Sequence, residues 1–207
     1  MIDVATWLTF TAASALIVVV PGPTVTVIIA NSLRTGPASG LMNVAGTQAG
    51  LLMMVIVLAA GLSTIVASAG LVFEVLRIVG AAYLIWLGIK MWRADGRLAE
   101  AAAGPARSHA RYFWQGFLVI WSNPKALLFF GAFIPQFVDP AGNPALQVTL
   151  LGLTFMAIAA VLDGAYAVAA GKTGALLSRN NVRWLERISG SFLIGGGVWL
   201  ALSRRGA

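Results

Sequence analysis

Long apolar stretches constrain this chain more than any other feature of its sequence. A helix needs roughly 20 apolar residues to cross a bilayer, and it satisfies its own backbone hydrogen bonds where no water is available. Stretches of that length cover residues 4–33, 41–67, 71–92, 112–137, 146–171 and 182–202. They predict an all-α integral membrane protein with six transmembrane helices, which we call spans one to six.

The overall composition agrees with this prediction. Of the 207 residues, 59% are hydrophobic and 10% are charged, a balance that ordinary water-soluble domains do not have. The absence of cysteine excludes disulfides, thiolate metal sites and cysteine nucleophiles. The chain also lacks a glycine-rich phosphate loop ending in Lys-Ser or Lys-Thr. Any transport would therefore be secondary, and no cofactor is predicted.

The net charge of +7 is concentrated in particular loops. The loop after span one carries Arg34, whereas the loops after spans two and four carry neither Lys nor Arg. The loops after spans three and five, together with the adjoining ends of the spans, carry Lys90, Arg93, Arg97, Arg107, Arg111, Lys172, Arg179, Arg183 and Arg187. By the positive-inside rule these odd-numbered loops are cytoplasmic and both termini lie outside, an orientation that Arg204 and Arg205 oppose.

The two halves of the chain resemble one another. RIVGAAYLIWLG (77–88) in span three is similar to RISGSFLIGGG (187–197) in span six, and GPTVTVIIANSL (22–33) in span one to NPKALLFFGAFI (123–134) in span four. Because the order and spacing agree, we predict a three-helix unit used twice. An odd number of spans in each unit places the copies in opposite membrane orientations, as two inverted repeats.

This pattern predicts a single transmembrane transporter domain over residues 1–207. It would consist of repeat one (about 1–92), a cytoplasmic linker (about 93–111) and repeat two (about 112–207).

Prolines interrupt spans one and four at matching places. Gly22 and Asn123 are good N-cap residues, and Pro23 and Pro124 follow at the first helical position, where a missing N–H does no harm. Each pattern predicts that a new helix begins near the middle of the bilayer. The first-turn N–H groups of such a helix lack intrahelical partners and carry partial positive charge. The two breaks together predict a site for an anionic group, with packing kinks as the alternative.

Two ionisable side chains are predicted at the same depth. Lys125 follows the second break, and Asp163 lies near the middle of span five, with Tyr166 further along the same face. Ionisable residues within a membrane indicate function by default, although a Lys125–Asp163 ion pair that merely joins two helices is an alternative. Gln48 in span two is a candidate for a neutral hydrogen bond, but the glycines around it favour close helix packing.

Positive helix ends with a lysine, facing a lone carboxylate, suit a zwitterion. The sequence therefore predicts an amino-acid substrate whose carboxylate meets the two breaks and Lys125 and whose ammonium faces Asp163, which could also carry a proton. The predicted partners are this small molecule and the lipid bilayer, not nucleic acid. Gly- and Ala-rich helix faces are compatible with a homodimer, although no motif specifies one.

Three other classes of protein remain as alternatives. A metal-cation exporter would need several carboxylates, thiolates or imidazoles together, and a membrane enzyme would need a nucleophile with a base, or a metal centre. A non-transporting scaffold would gain nothing from helix breaks inside the membrane.

Two stretches also resemble a known family. PGPTVTVIIANSLRTGPASGL (21–41) and NPKALLFFGAFIPQFVDP (123–140) are similar to the signature stretches of the lysine exporter (LysE-type) translocator family, which includes the homoserine/threonine exporters. The resemblance covers the whole chain. It implies proton-driven export of amino acids or close derivatives across the bacterial inner membrane. One departure is Thr24, which stands where many members have Asn or Asp.

The resemblance implies that its matching motif positions form the core of the transport path. Together with the polar residues at membrane depth, the candidate substrate-binding residues are Pro21, Gly22, Pro23, Thr24, Gln48, Asn123, Pro124, Lys125, Asp163 and Tyr166. Asp163 is also the candidate proton-coupling residue.

Overall fold

The computed structural model describes residues 2–19, 22–67 and 108–172, with single residues and pairs between positions 78 and 93 and between 183 and 202. The helices are α1 (Val4–Val19), α2 (Pro23–Thr35), α3 (Pro37–Ala67), α4 (His109–Trp121), α5 (Pro124–Leu128) and α6 (Pro144–Lys172). A π-helix (Phe129–Phe133) and a 3₁₀ helix (Ile134–Phe137) continue α5. These ranges contain no strand, which confirms the predicted all-α class.

Two of these helices are long and apolar enough to cross a membrane: α3, over Pro37–Gly61, and α6. Two further pairs pass the same test together, so that the described residues provide up to four spans if each bent pair counts as one. The first pair is α1 with α2, and the second is α4 with the segment that begins at α5. Spans three and six, predicted at 71–92 and 182–202, lie largely outside the described residues.

The corner between α2 and α3 is tighter than the sequence predicted. Gly36 has a φ of +92° and donates its N–H to the carbonyl of Ser32 at 2.9 Å, a conformation that glycine adopts at low cost. Pro37 then begins α3, because its missing N–H is not needed in a first helical turn. Span two therefore begins at Pro37 rather than at residue 41.

The start of α1 is fixed by a local cap. The Asp3 carboxylate accepts hydrogen bonds from the backbone N of Thr6 at 2.9 Å and from its Oγ1 at 2.6 Å. These two bonds hold the pKa of Asp3 below its usual range, because they stabilise the charged form.

Both bent pairs change direction by a similar amount. The axis turns by 51° between α1 and α2, and by 53° between α4 and the segment Lys125–Phe137. In each pair the second helix begins at a proline, Pro23 or Pro124. Each bend therefore lies directly before a helix that begins with proline.

Glycines bring α3 close to α4. A methyl group added to Gly46 would overlap the carbonyl of Phe113, and one added to Gly116 would overlap the carbonyl of Asn43. Gly50 is similarly close to Ile120. These contacts confirm the close helix packing expected from the glycines around Gln48.

An aromatic cluster packs α1 against the π-helix and α6. The Phe129 ring lies 5.8 Å from Phe10, 5.0 Å from Phe133 and 4.3 Å from Phe155, between centroids. Phe137 joins it at 5.3 Å from Phe10. We call these five residues the aromatic cluster. It closes one side of the site described next, because Phe129 and Phe155 also line that site.

Candidate substrate site between the two helix breaks

A buried cavity of about 40 Å³ lies where the two helix breaks meet. Its polar lining residues are Gly22, Thr24, Thr47, Asn123, Lys125 and Asp163. Since one water needs roughly 10–15 Å³ of this kind of volume, the cavity holds a few waters but is too small for an amino acid.

The two breaks contact each other directly. Asn123 Nδ2 donates a hydrogen bond to Thr24 Oγ1 at 2.9 Å, which joins the second break to the first. A methyl group on Gly22 would lie 3.4 Å from Lys125 Nζ, so the backbone of the first break borders the lysine side chain. Residues that the sequence proposed separately thus lie close together.

The two new helices are capped differently. Asn123 Oδ1 accepts the backbone N–H of Lys125 at 3.0 Å, which satisfies one of the orphan donors of α5. Gly22 has no side chain, and α2 has no side-chain cap. The N-terminus of α2 therefore offers N–H groups to the cavity, whereas positive charge on the other side comes mainly from the Lys125 ammonium.

Lys125 contacts the end of α1. Its side chain is 8% exposed, and Nζ donates to the carbonyl of Ile17 at 2.9 Å. The last-turn carbonyls of a helix lack intrahelical partners and carry partial negative charge, so the ammonium stabilises the C-terminus of α1. Lys125 and Asp163 are also close enough for their charges to interact.

Asp163 and Thr47 line the cavity, and each has a buried side-chain oxygen without a hydrogen-bond partner among the described residues. Asp163 is 3% exposed and Thr47 is 1% exposed. Neither Asp163 Oδ1 nor Thr47 Oγ1 has a hydrogen-bond partner in the described part of the chain. Buried polar atoms are normally paired, so this wall of the cavity is suited to a polar ligand. The sequence analysis did not single out Thr47.

Two predicted site residues lie elsewhere. The hydroxyl of Tyr166 donates to the carbonyl of Val19 at 2.8 Å, so it ties α6 to the end of α1 and does not line the cavity. Gln48 is also absent from the lining, and its Nε2 is buried without a partner among the described residues.

The remaining predicted positions are the prolines. Pro23 begins α2 and is exposed, Pro124 begins α5, and Pro21 lies outside the described residues.

A polar network lies beside the site, among α2, α3 and α4. Asn31 Nδ2 donates to Asn43 Oδ1 at 2.7 Å and to Gln115 Oε1 at 3.0 Å. Asn43 Nδ2 in turn donates to the carbonyl of Tyr112 at 2.6 Å. We call Asn31, Asn43, Gln115 and Tyr112 the polar network. The polar network and the aromatic cluster therefore give the surroundings of the cavity a polar part and an apolar part.

The described residues contain no group of three or more His, Cys, Asp or Glu side chains that could hold a metal ion. Among the described residues that line the cavity, Asp163 is the one with a carboxylate side chain.

Bent helices around an enclosed site with both charges define a membrane protein with an internal polar binding site. The chain belongs to the LysE type translocator family, which matches residues 15–204. It is therefore a membrane transporter and not an enzyme.

Three relatives illustrate the similarity. An uncharacterized membrane protein of Vibrio cholerae is 30% identical over 98% of this chain and 99% of its own length. The homoserine/homoserine lactone efflux protein of Salmonella typhimurium is 31% identical over 96% of this chain and 97% of its own. The leucine efflux protein of Klebsiella pneumoniae is 32% identical over 75% of this chain and 74% of its own. No solved structure matches the chain.

Proposed function

We propose that this protein is a secondary active exporter of amino acids or close derivatives across the bacterial inner membrane, driven by the proton gradient. Two relatives are named for efflux of homoserine or its lactone and of leucine. The family and those names support an amino-acid cargo, and the chemistry of the cavity supports a zwitterion.

One observation carries the proposal: a single buried cavity is lined by the N-terminus of α2, by Lys125 and by Asp163. Donors at Gly22 and at the Lys125 ammonium suit a carboxylate, whereas the Asp163 carboxylate suits an ammonium. A substrate with both charges satisfies both sides at once.

Asp163 is the proposed proton-coupling residue. A buried carboxyl can bind a proton or pair with a cation, and both processes use the same oxygen atoms. Substrate ammonium and proton would therefore compete for Asp163. This competition would exchange outward movement of the amino acid for inward movement of a proton.

The proposed architecture is a pair of inverted three-helix repeats whose breaks lie near the membrane midplane. The similar bends of 51° and 53°, each followed by a helix that begins at a proline, support this proposal. Such repeats commonly rock around a central site to give alternating access. With the odd-numbered loops in the cytoplasm, the polar network lies on the inner side of the cavity and the aromatic cluster on the outer side. The homodimer remains a prediction that is based on the Gly- and Ala-rich faces of the helices.

Efflux from proteoliposomes tests the function. Purified protein is reconstituted, vesicles are preloaded with labelled homoserine, leucine or lysine, and efflux is followed with and without an imposed proton gradient. We expect at least one of these amino acids to leave faster under the gradient. In Asp163→Asn the gradient dependence is lost, because the amide can neither bind nor release a proton.

Asp139→Asn is the matched control. Asp139 is an exposed carboxylate outside the cavity, and its substitution leaves the gradient dependence unchanged. Failure of wild-type vesicles to release any amino acid, with the protein folded and correctly inserted, would refute the proposed cargo.

A further inference from the structure

We infer that Thr47 is a substrate-binding residue that accepts a hydrogen bond from the substrate ammonium beside Asp163, so that the site selects primary amines. This inference rests on the proposed function and deepens it. It concerns a residue on α3 that neither the sequence motifs nor the names of the relatives indicate.

Thr47 differs from the other described threonines because its hydroxyl has no hydrogen-bond partner among the described residues. A threonine on a helix can donate its hydroxyl to the carbonyl one turn back. The described threonines that do so here are Thr9, Thr11, Thr26, Thr35, Thr149 and Thr154, at 2.8–3.0 Å. Thr47 Oγ1 has no such bond and no other partner in the described residues.

Thr47 is almost completely buried. Its side chain is 1% exposed and lines the cavity. The ordinary local bond would have satisfied this hydroxyl, and without it Thr47 Oγ1 depends on whatever occupies the cavity for a partner. A ligand that binds in the cavity supplies the missing partner.

The register of α3 against α6 places Thr47 and Asp163 at a similar level. A methyl group on Gly40 would lie 3.0 Å from the Cβ of Ala167, and one on Gly152 would lie 3.1 Å from Cγ1 of Val55. The helices are therefore antiparallel, and Thr47 faces the level of residue 160. Since the helical rise is about 1.5 Å per residue, Thr47 and Asp163 are offset by less than one turn along the axis.

These oxygens suit an ammonium. An ammonium has three N–H donors, of which the carboxylate of Asp163 can accept one or two and a hydroxyl oxygen can accept another. A trimethylated nitrogen carries the same positive charge but has no N–H to donate. It therefore keeps the attraction to Asp163 and loses the bond to Thr47.

The test compares variants that differ only in the hydroxyl. Binding of homoserine and leucine, and of their N,N,N-trimethyl derivatives, is measured on purified protein by titration calorimetry and by ligand-induced thermal stabilisation. In Thr47→Val, an isosteric change, we expect affinity for the amino acid that the wild type binds to fall about tenfold or more. Affinity for its trimethyl derivative stays unchanged, so the preference for the primary amine is lost. Thr47→Ser keeps the preference.

Two further variants serve as controls. Thr149→Val removes a threonine hydroxyl that is already bonded to the carbonyl of Ala145 outside the cavity, and leaves affinity unchanged. Thr47→Ala repeats the loss without a branched side chain, should the valine variant fold poorly. Wild-type affinity in both Thr47→Val and Thr47→Ala overturns the role of Thr47 and leaves the exporter proposal standing. Absence of both amino-acid binding and efflux in the wild type overturns both.

Discussion

Asn123 joins the two helix breaks through one side chain. Its carbonyl oxygen caps α5 by accepting the N–H of Lys125, and its amide donates to Thr24. Asparagine suits this position because it can accept and donate at once, whereas serine or aspartate would cap the helix but donate less readily to Thr24. At the scale of single residues, Asn123 thus uses both its oxygen and its nitrogen in hydrogen bonds that hold the two breaks together.

Removing this side chain destabilises the protein. In Asn123→Ala we expect the free energy of unfolding to fall by about 2 kcal/mol, since a cap and a buried hydrogen bond are both lost. The matched control is Asn143→Ala, which removes an exposed cap that accepts from the backbone N of Leu146 and costs less. Denaturant unfolding in micelles measures both, and an equal cost in the two variants contradicts the bridging role.

A substitution at Gly22 is expected to change substrate binding without changing the stability of the protein. The φ of Gly22 is −103°, so alanine fits the backbone without strain, and the added methyl meets Lys125 Nζ at an ordinary contact distance of 3.4 Å. For Gly22→Ala we expect an unchanged melting temperature but a KM for efflux raised several-fold, because the methyl takes up part of the cavity.

The control for this variant is Gly131→Ala, because a methyl group there meets no atom within 4 Å. It should alter neither quantity. An unchanged KM in Gly22→Ala would place the substrate elsewhere.

Thr47 and Gln48 show that the sequence does not specify which of two neighbouring polar side chains lines the cavity. Gly22, Asn123, Lys125 and Asp163 were predictable because helix breaks and charges within an apolar sequence are local and conspicuous. Gln48 attracted attention by its polarity, yet helix rotation turns its neighbour Thr47 into the cavity. The sequence does not show whether the hydroxyl of a threonine in an apolar helix has a hydrogen-bond partner. That can be determined only when the surrounding residues are known.

At the scale of elements, α3 is held at close range by glycine. The backbone of α4 approaches Gly46 and Gly50, and that of α3 approaches Gly116. This closeness lets Asn43 reach the carbonyl of Tyr112. The small-residue spacing around Gln48 predicted the contact, because only small side chains allow it. The π-helix at Phe129–Phe133 could not be predicted, since no sequence pattern marks it.

A single added methyl tests this packing. Gly46→Ala would overlap the carbonyl of Phe113, so the helices must separate at a cost of about 1–3 kcal/mol. Gly61→Ala lies on the same helix and meets no atom within 4 Å, so it is neutral or slightly stabilising. Thermal unfolding of the two variants provides the comparison, and equal melting temperatures would contradict the close packing.

At the scale of the whole molecule, the all-helical class and the bent spans follow from the length of the apolar stretches and from Gly-Pro and Asn-Pro. The hydrogen bonds between helices that are distant in sequence could not be predicted from these features. Asn31 bonds to Gln115 across 84 positions, and Trp7 to Thr154 across 147. Such pairs depend on helix rotation and register, which apolar sequences specify weakly because lipid and protein both accept the same side chains.

The orientation can be tested directly because the chain has no cysteine. Single cysteines at Ser108, Gly142 and Arg205 are labelled with a membrane-impermeant thiol reagent in intact cells and in inside-out vesicles. We expect the Ser108 position to react in inside-out vesicles and the Gly142 position in intact cells, since the basic loops are cytoplasmic. The Arg205 position should react in intact cells, as an even number of spans requires. Its reaction only in inside-out vesicles would contradict six spans with both termini outside.

In the proposed transporter, Lys125 and Asp163 bind opposite charges of one substrate. Titration calorimetry of purified protein with homoserine and leucine tests this most directly. We expect Lys125→Gln and Asp163→Asn each to weaken the binding of the recognised amino acid at least about tenfold. The charge-matched controls Lys172→Gln and Asp139→Asn, at exposed positions outside the cavity, bind as the wild type does. Wild-type affinity in both cavity variants would show that the site between the helix breaks is not where the substrate binds.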